Sequence, residues 1–334
     1  MNSGATPSAL STWSRHWGAR EIFGVVLLVG LALVPLISAA ISQPFYVTLF
    51  TRIVIYALAA LGLNLILGYG ALVSFGHALY LGIGAYAVGI LSFHGVDNGW
   101  AHLGAALGTG AVVAVVIGFV CLRTSGMAFI MITLAFAQMF YFLAVGLRQY
   151  GGDDGMTIAG RSDFGFFTLA SNNALYYFAF ALLLLCLFAF RRLVDARFGM
   201  VLRGCRSNER RMAAMGFPTL RYKLTAYVIS ALVCVLAGVL LANLTKFASP
   251  STMSWQTSGE LIVMIVLGGM GTLIGPVAGA AALLLLEEVL AGLTQHWMVI
   301  LGPLIVLIVL VAKKGLYGYI AEWDARRRSR RRTL

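Results

Sequence analysis

Leu224-Thr225-Ala226-Tyr227-Val228-Ile229-Ser230-Ala231-Leu232-Val233-Cys234-Val235-Leu236-Ala237-Gly238-Val239-Leu240-Leu241-Ala242-Asn243-Leu244 is a run of twenty-one residues without one Asp, Glu, Lys or Arg. As a helix it would be about 32 Å long, matching the ~30 Å hydrocarbon core of a bilayer. Nine other apolar stretches accompany it, at approximately 22–43, 53–67, 72–94, 102–121, 127–147, 173–190, 259–270, 273–293 and 296–312. Over the whole chain of 334 residues, 60% are apolar and 11% charged, against roughly 25% charged in soluble proteins. Mean hydropathy is +0.90. Thirty-six charged side chains cannot surface a soluble globule of this size. About 200 apolar residues, at roughly 20 per span, allow about ten spans. The chain therefore reads as an all-α polytopic membrane protein with about ten transmembrane helices. A soluble enzyme, a nucleic-acid-binding domain and a disordered scaffold are excluded.

Charge placement orients the bundle. With the amino terminus in the cytoplasm, twenty Lys and Arg fall in inside segments. Only Arg52, Arg148, Arg161 and Lys246 fall outside. By the positive-inside rule both termini are cytoplasmic. The reading divides the chain into a tail at 1–21, a transmembrane part at 22–312 and a basic tail at 313–334. Residues 1–20 lack the short apolar core of a signal peptide. The arginines between Arg326 and Arg332 read as a topology anchor touching anionic lipid, with no nucleic acid as partner. The net charge of +12 is thus a matter of sidedness. Cys121, Cys186, Cys205 and Cys234 show no metal-ligand spacing and read as small apolar residues.

The second and eighth stretches look too short to cross alone. Both end in glycine-rich turns, Leu67-Gly68-Tyr69-Gly70-Ala71-Leu72 and Leu267-Gly268-Gly269-Met270-Gly271-Thr272-Leu273. Broken or re-entrant helices are tolerated only when packed inside protein. The two turns hint at an internal repeat, as in transporters built from repeated halves, and chance similarity serves equally well.

No Gly-Lys-Ser/Thr, no HExxH and no Gly-x-Ser-x-Gly occurs, so the chain reads as neither an ATPase nor any other enzyme, with no metal or cofactor of its own. Acids within apolar stretches are candidates for a translocation path. Glu287 and Glu288 diverge by about 100° on a helix, so at most one lines a path and the other bonds to a neighbouring helix or snorkels outward. Glu260 is either a path residue or a first-turn acid complementing the helix dipole. Ser74 and His77, in Ser74-Phe75-Gly76-His77, are gate candidates, although a packed and satisfied histidine fits as well. Gly68, Gly70, Gly76, Gly268, Gly269 and Gly271 read as structural glycines.

Two polar loops remain, Arg148–Asn172 outside and Arg191–Lys223 inside. The inner one carries nine basic residues against two acidic ones. Residues 198–218 within it read as one short helix, with Asn208 able to cap an inner turn, Gly216 at the C′ position and Pro218 as the stop. Cys205, Met212 and Met215 share one stripe, while Arg203, Arg206 and Arg210 share another. Such a helix either lies at the lipid interface or docks into a groove of a cytoplasmic partner.

Several segments together resemble a known family, the permease subunits of bacterial branched-chain amino acid ABC importers, of the LivM type. They are Ala60–Gly70, Ser74–Ala78, Gly82-Ile83-Gly84-Ala85-Tyr86, Gly151-Gly152-Asp153-Asp154-Gly155-Met156, Arg206–Gly216 with Arg221-Tyr222-Lys223, and Val266–Pro276. The resemblance covers roughly residues 45–315. It implies a second, LivH-like permease, cytoplasmic P-loop ATPases that use ATP, a periplasmic binding protein, and the bacterial inner membrane as location. It also implies an ATPase-coupling segment on Arg206, Asn208, Glu209, Ala213, Ala214 and Gly216, to which the helix reading adds Arg203, Arg210 and Met212. Glu209 is expected to meet a basic group or backbone donor of the ATPase. The chain departs from the family at Ser207, where an acid is usual, and in Gly-Gly-Asp-Asp-Gly, where Gly-Gly-Ser/Thr-Asp-Gly is commoner. Related permeases for urea and short amides keep the substrate open. The competing class is an ion-coupled secondary transporter, which usually needs a midplane ionisable site.

Overall fold

A computed structural model describes residues 19–311, apart from 42, 166, 167, 170 and 295, together with 315 and 318. Residues 1–18 and the arginine-rich tail, including Arg326–Arg332, lie outside the described residues. Eleven α-helices follow one another: α1 Ala19–Ile41, α2 Pro44–Asn64, α3 His77–Phe93, α4 Gly99–Cys121, α5 Met127–Gly146, α6 Asn172–Asp195, α7 Arg197–Ala214, α8 Thr219–Thr245, α9 Trp255–Gly268, α10 Gly275–Leu293 and α11 Trp297–Val311. A wide π-helical turn, Leu65–Tyr69, carries α2 on without a break.

Helix starts follow local chemistry. Pro44 opens α2 and Pro276 opens α10, where a missing N–H costs nothing. The Asn98 side chain caps α4 by accepting from Trp100 N at 2.9 Å, and Ser254 caps α9 by accepting from Thr257 N at 3.4 Å.

Seven helices among the described residues are long and apolar enough to cross a membrane: α1, α2 with its π turn, α4, α5, α6, α8 and α10. α3, α9 and α11 are apolar but shorter, at 17, 14 and 15 residues. The second apolar stretch is not short. It is the inner part of a continuous 26-residue helix, Pro44–Tyr69, and Arg52, expected in an outer loop, stands within that helix. One charge had truncated the apolar run without interrupting the backbone.

α8 lies at the centre, against α2, α3 and α4, and α10 packs on both α2 and α9. The core centres on α2, α3 and α8 and extends into α5 and α6, with Tyr80, Tyr227, Phe129 and Tyr176 among its largest fully buried side chains. The rim helices turn apolar side chains outward, among them Val112 and Val116 on α4, Met139 and Phe142 on α5 and Phe188 on α6. This outward apolar surface is the solvent-side pattern of a membrane protein. The four cysteines are buried and unbridged. At one end, Met156–Thr157 and Phe247–Ala248 form a short antiparallel pair that ties the 147–171 loop to the exit of α8. His102 holds the same loop through Ser162 Oγ at 2.7 Å. α7 lies at the opposite end.

Candidate functional site

Three polar constructions stand out. The first joins the two glycine turns. The side chain of Asn64, at the end of α2, donates from Nδ2 to the Thr272 carbonyl at 2.8 Å and accepts from the Gly271 N–H at 3.1 Å. It thereby supplies two backbone groups that the turn between α9 and α10 leaves without helical partners. Gly271 has φ +75° and Gly269 φ +118°, conformations that L side chains rarely adopt. The turns also touch backbone to backbone, since a Cβ on Gly68 would stand 2.5 Å from the Gly271 nitrogen. A Cβ on Gly268 would run into the Gly275 carbonyl and one on Gly279 into the Met264 carbonyl, so glycines set the close approach of α9 and α10. At Gly70 and Gly76 an added Cβ would meet the Ile66 and Thr133 carbonyl oxygens at 2.7 and 3.0 Å.

The second construction is α7. It is not the single helix expected: Asn208 has φ −160° and ψ 100°, and the axis breaks there. Asn208 Oδ1 accepts from Arg211 N at 2.9 Å and caps the second segment. The break resets the rotation, so Cys205, Met212 and Met215 do not form one surface. Cys205 is buried in the chain's own core, Met212 is half-buried and lies close over Gly204, and Met215 is exposed. Burial pushes the Cys205 thiol pKa up. Gly216 has φ +86°, and the Gly216 and Phe217 N–H groups close the helix end on Ala213 and Met212 carbonyls at 2.9 and 3.2 Å.

The arginines also have partners within the chain. Arg206 donates to the Gly68 carbonyl, tying α7 to the glycine turns, and Arg203 donates to the Val194 carbonyl at 3.2 Å. Arg210 and Ala213 are exposed. Glu209, expected to await a group on a partner protein, is paired with Lys223, whose side chain is only 9% exposed against 43% for Glu209. The physical reason is the burial of Lys223 at the start of α8, since an ammonium removed from water needs a counter-charge.

The third construction places Ser74 and His77 in the closed core, where both are fully buried. The Ser230 hydroxyl donates to the Gly62 carbonyl at 2.7 Å, so it accepts from His77 Nε2–H at 3.0 Å. Nδ1 then accepts from the Ser74 hydroxyl at 3.0 Å. Tyr80 and Tyr227 meet the imidazole edge-on, with centroids 5.6 and 5.4 Å away, and Tyr80 donates to the Tyr227 hydroxyl at 3.1 Å. Ser74 and His77 therefore behave as satisfied packing residues.

The acids fare differently. Glu260 and Glu287 come together with Arg52 and Tyr56, while Glu288 is half-buried on α10 beside them. Arg52 Nη2 lies 3.8 Å from Glu287 Oε1, and its guanidinium carbon lies 5.7 Å from the Tyr56 ring centroid. Reasoning from sequence missed Arg52 and Tyr56 as members of the cluster. The one signal in the sequence was their spacing of four, which puts both on one helix face.

Among the described residues no group of three or more His, Cys, Asp or Glu could hold a metal ion. Apolar rim helices around a core of buried hydrogen bonds and glycine contacts define a multi-pass helical membrane protein. Residues 45–311 match the family described as the permease component of branched-chain amino acid transport systems, and the chain belongs to that family. It is 29% identical over 315 residues to the high-affinity branched-chain amino acid transport system permease protein LivM of Escherichia coli, covering 86% of this chain and 74% of that protein. The LivM protein of Salmonella typhimurium gives the same figures. LivH of Escherichia coli is 24% identical over 283 residues, covering 79% of this chain and 91% of LivH. No solved structure matches the chain.

Proposed function

We propose that this chain is a LivM-type permease subunit of an ATP-driven importer of branched-chain amino acids in the bacterial inner membrane. The observation that carries the reading is the family match across residues 45–311, which spans nearly the whole membrane part. In this reading all ten apolar helices lie in the membrane, both termini and α7 face the cytoplasm, and the 147–171 loop faces outward. The path forms between this chain and a second, LivH-like permease. A periplasmic binding protein delivers the substrate, and separate P-loop ATPases consume the ATP.

α7 is the coupling element. It is the only polar helix of the described residues, it sits between two spans, and Arg206 links it to the Gly68 turn. Motion of a docked ATPase would therefore reach the paired glycine turns through one guanidinium. Met215 and Phe217, exposed at the tip of the α7 turn, supply the apolar contact.

The test is binding-protein-dependent uptake of labelled leucine into vesicles carrying the assembled importer, with retention of the ATPase on the permease measured in parallel. The expected result is uptake that needs ATP and all subunits, with no ATP hydrolysis by this chain alone. Uptake by this chain without any ATPase would overturn the reading in favour of an ion-coupled transporter. Reporter fusions after residues 160 and 334, active only in the cytoplasm, test the sidedness, and activity at 160 would overturn it.

A further inference from the structure

α2 is closed all round along one half and open along one face of the other. From Ala57 to Gly70 every residue is buried, whereas Phe45, Thr48, Arg52 and Tyr56, spaced three and four apart on one face, are open to varying degrees. At 1.5 Å per residue Arg52 lies about 12 Å into α2, and Glu287 lies about 9 Å short of the end of α10. Both helices are long enough to cross a membrane. Charges at such depth face protein or water, because facing hydrocarbon is costly.

The chain by itself does not satisfy them. The Arg52 side chain is 43% exposed and that of Glu287 26%, and their 3.8 Å separation is an ion pair too long for a hydrogen bond. Glu260, one helix over, feels the charges of both Glu287 and Arg52, yet makes no ion pair among the described residues. A guanidinium with donors to spare thus stands near a carboxylate that makes no ion pair among the described residues.

We propose that Arg52, Tyr56, Glu260 and Glu287 form a subsite of the translocation path for the charged head of a zwitterionic α-amino acid. Glu260 takes the ammonium and Arg52 takes the carboxylate. Glu287 and the Tyr56 ring hold the guanidinium in place. This rests on the permease reading above. An amino acid separates its two charges by a single carbon, so both must be met at neighbouring positions. A metal cation would be drawn by the acids and repelled by Arg52, and a lipid phosphate would take Arg52 and be repelled by Glu260 and Glu287. Val263, one turn along α9 from Glu260 and only partly buried, offers an apolar wall for an aliphatic side chain.

The experiment uses the full importer in proteoliposomes. Because the binding protein governs capture, Glu260→Gln and Arg52→Gln are expected to lower the maximal leucine uptake rate, leaving KM unchanged, by about tenfold or more, the equivalent of one charge-assisted hydrogen bond. ATPase activity stimulated by the binding protein should persist, so fewer leucines move per ATP, and Arg52→Lys should recover part of the rate. Glu260→Cys should react from outside with a water-soluble cationic thiosulfonate and be protected while substrate-loaded binding protein drives turnover. Val116→Cys, on the outward apolar face of α4, should not react. Wild-type uptake in Glu260→Gln and Arg52→Gln would overturn the subsite, as would a Glu260→Cys protein inert to the reagent. Absence of leucine uptake in the wild-type importer would instead overturn the permease reading itself.

Discussion

The two halves of α2 are stabilised in opposite ways. The half ending at Gly70 is sealed by backbone contact, with Gly68 against Gly271 and Asn64 bonding across the turn, and leaves no room for a methyl group. The half beginning at Pro44 packs Ile53, Val54 and Ile55 inward but keeps one face open, where Arg52 stands 3.8 Å from Glu287. The sealed half has short-range, steric energetics that tolerate no change of volume. The open face has soft, long-range energetics that tolerate most changes of shape. A barrier needs the first property, and a surface over which a solute passes needs the second.

The largest expected effect breaks the sealed half. Gly68→Val and Gly268→Val push a branched side chain into the backbone of Gly271 and Gly275, costing at least the ~1–3 kcal/mol of an overpacked core. Monodisperse protein by size-exclusion chromatography in detergent should fall sharply. Gly104→Ala and Gly292→Ala, where an added Cβ meets nothing within 4 Å, should leave it unchanged. Equal loss at all four positions would erase the distinction.

Next comes the α7–α8 pair. Glu209→Ala strands the buried Lys223 ammonium. The cost is about 1–3 kcal/mol, less than for a fully buried pair because Glu209 is part-exposed. Apparent Tm should drop, and adding Lys223→Met in the same protein should restore most of it. A double variant as unstable as Glu209→Ala would show that packing, rather than the stranded charge, sets the loss.

Asn64→Ala removes the two bonds to the second glycine turn and should cost about 1–2 kcal/mol. Apparent Tm measures it, and Asn64→Asp, which sets a buried carboxylate against the Thr272 carbonyl, should be no more stable than Asn64→Ala. The smallest stability effect belongs to the open half. Arg52→Gln should cost under ~1 kcal/mol, as exposed ion pairs do, although uptake falls. A Tm loss as large as that of Asn64→Ala would mean the charged stripe is a structural clasp.

Much of this arrangement was legible in the chain. The uncharged run at 224–244 and its companions mark the helices, because hydropathy is summed locally and burial in lipid follows it. Gly216 and Pro218 announce the end of α7, since a positive φ and a missing N–H are properties of single residues. Arg52 misled, because a window-averaged apolar run stops at a charge while a helix whose charge faces Glu287 on α10 does not. His77 carried two readings until Ser230, 153 residues away, was found bonded to its ring.

By itself, then, the amino-acid sequence determined an all-α, multi-pass protein with glycine turns at two places and one polar helix between spans. Tertiary structure alone decided that Asn64 bridges to residues more than 200 positions away. It decided also that Arg206 reaches Gly68, that Glu209 is taken by Lys223, and that Glu260 and Glu287 share a face with Arg52. The reason is physical. Transfer of a segment into lipid depends on its own residues. A contact between segments depends on the rotation and depth of two helices, and these are fixed only when every neighbour is packed.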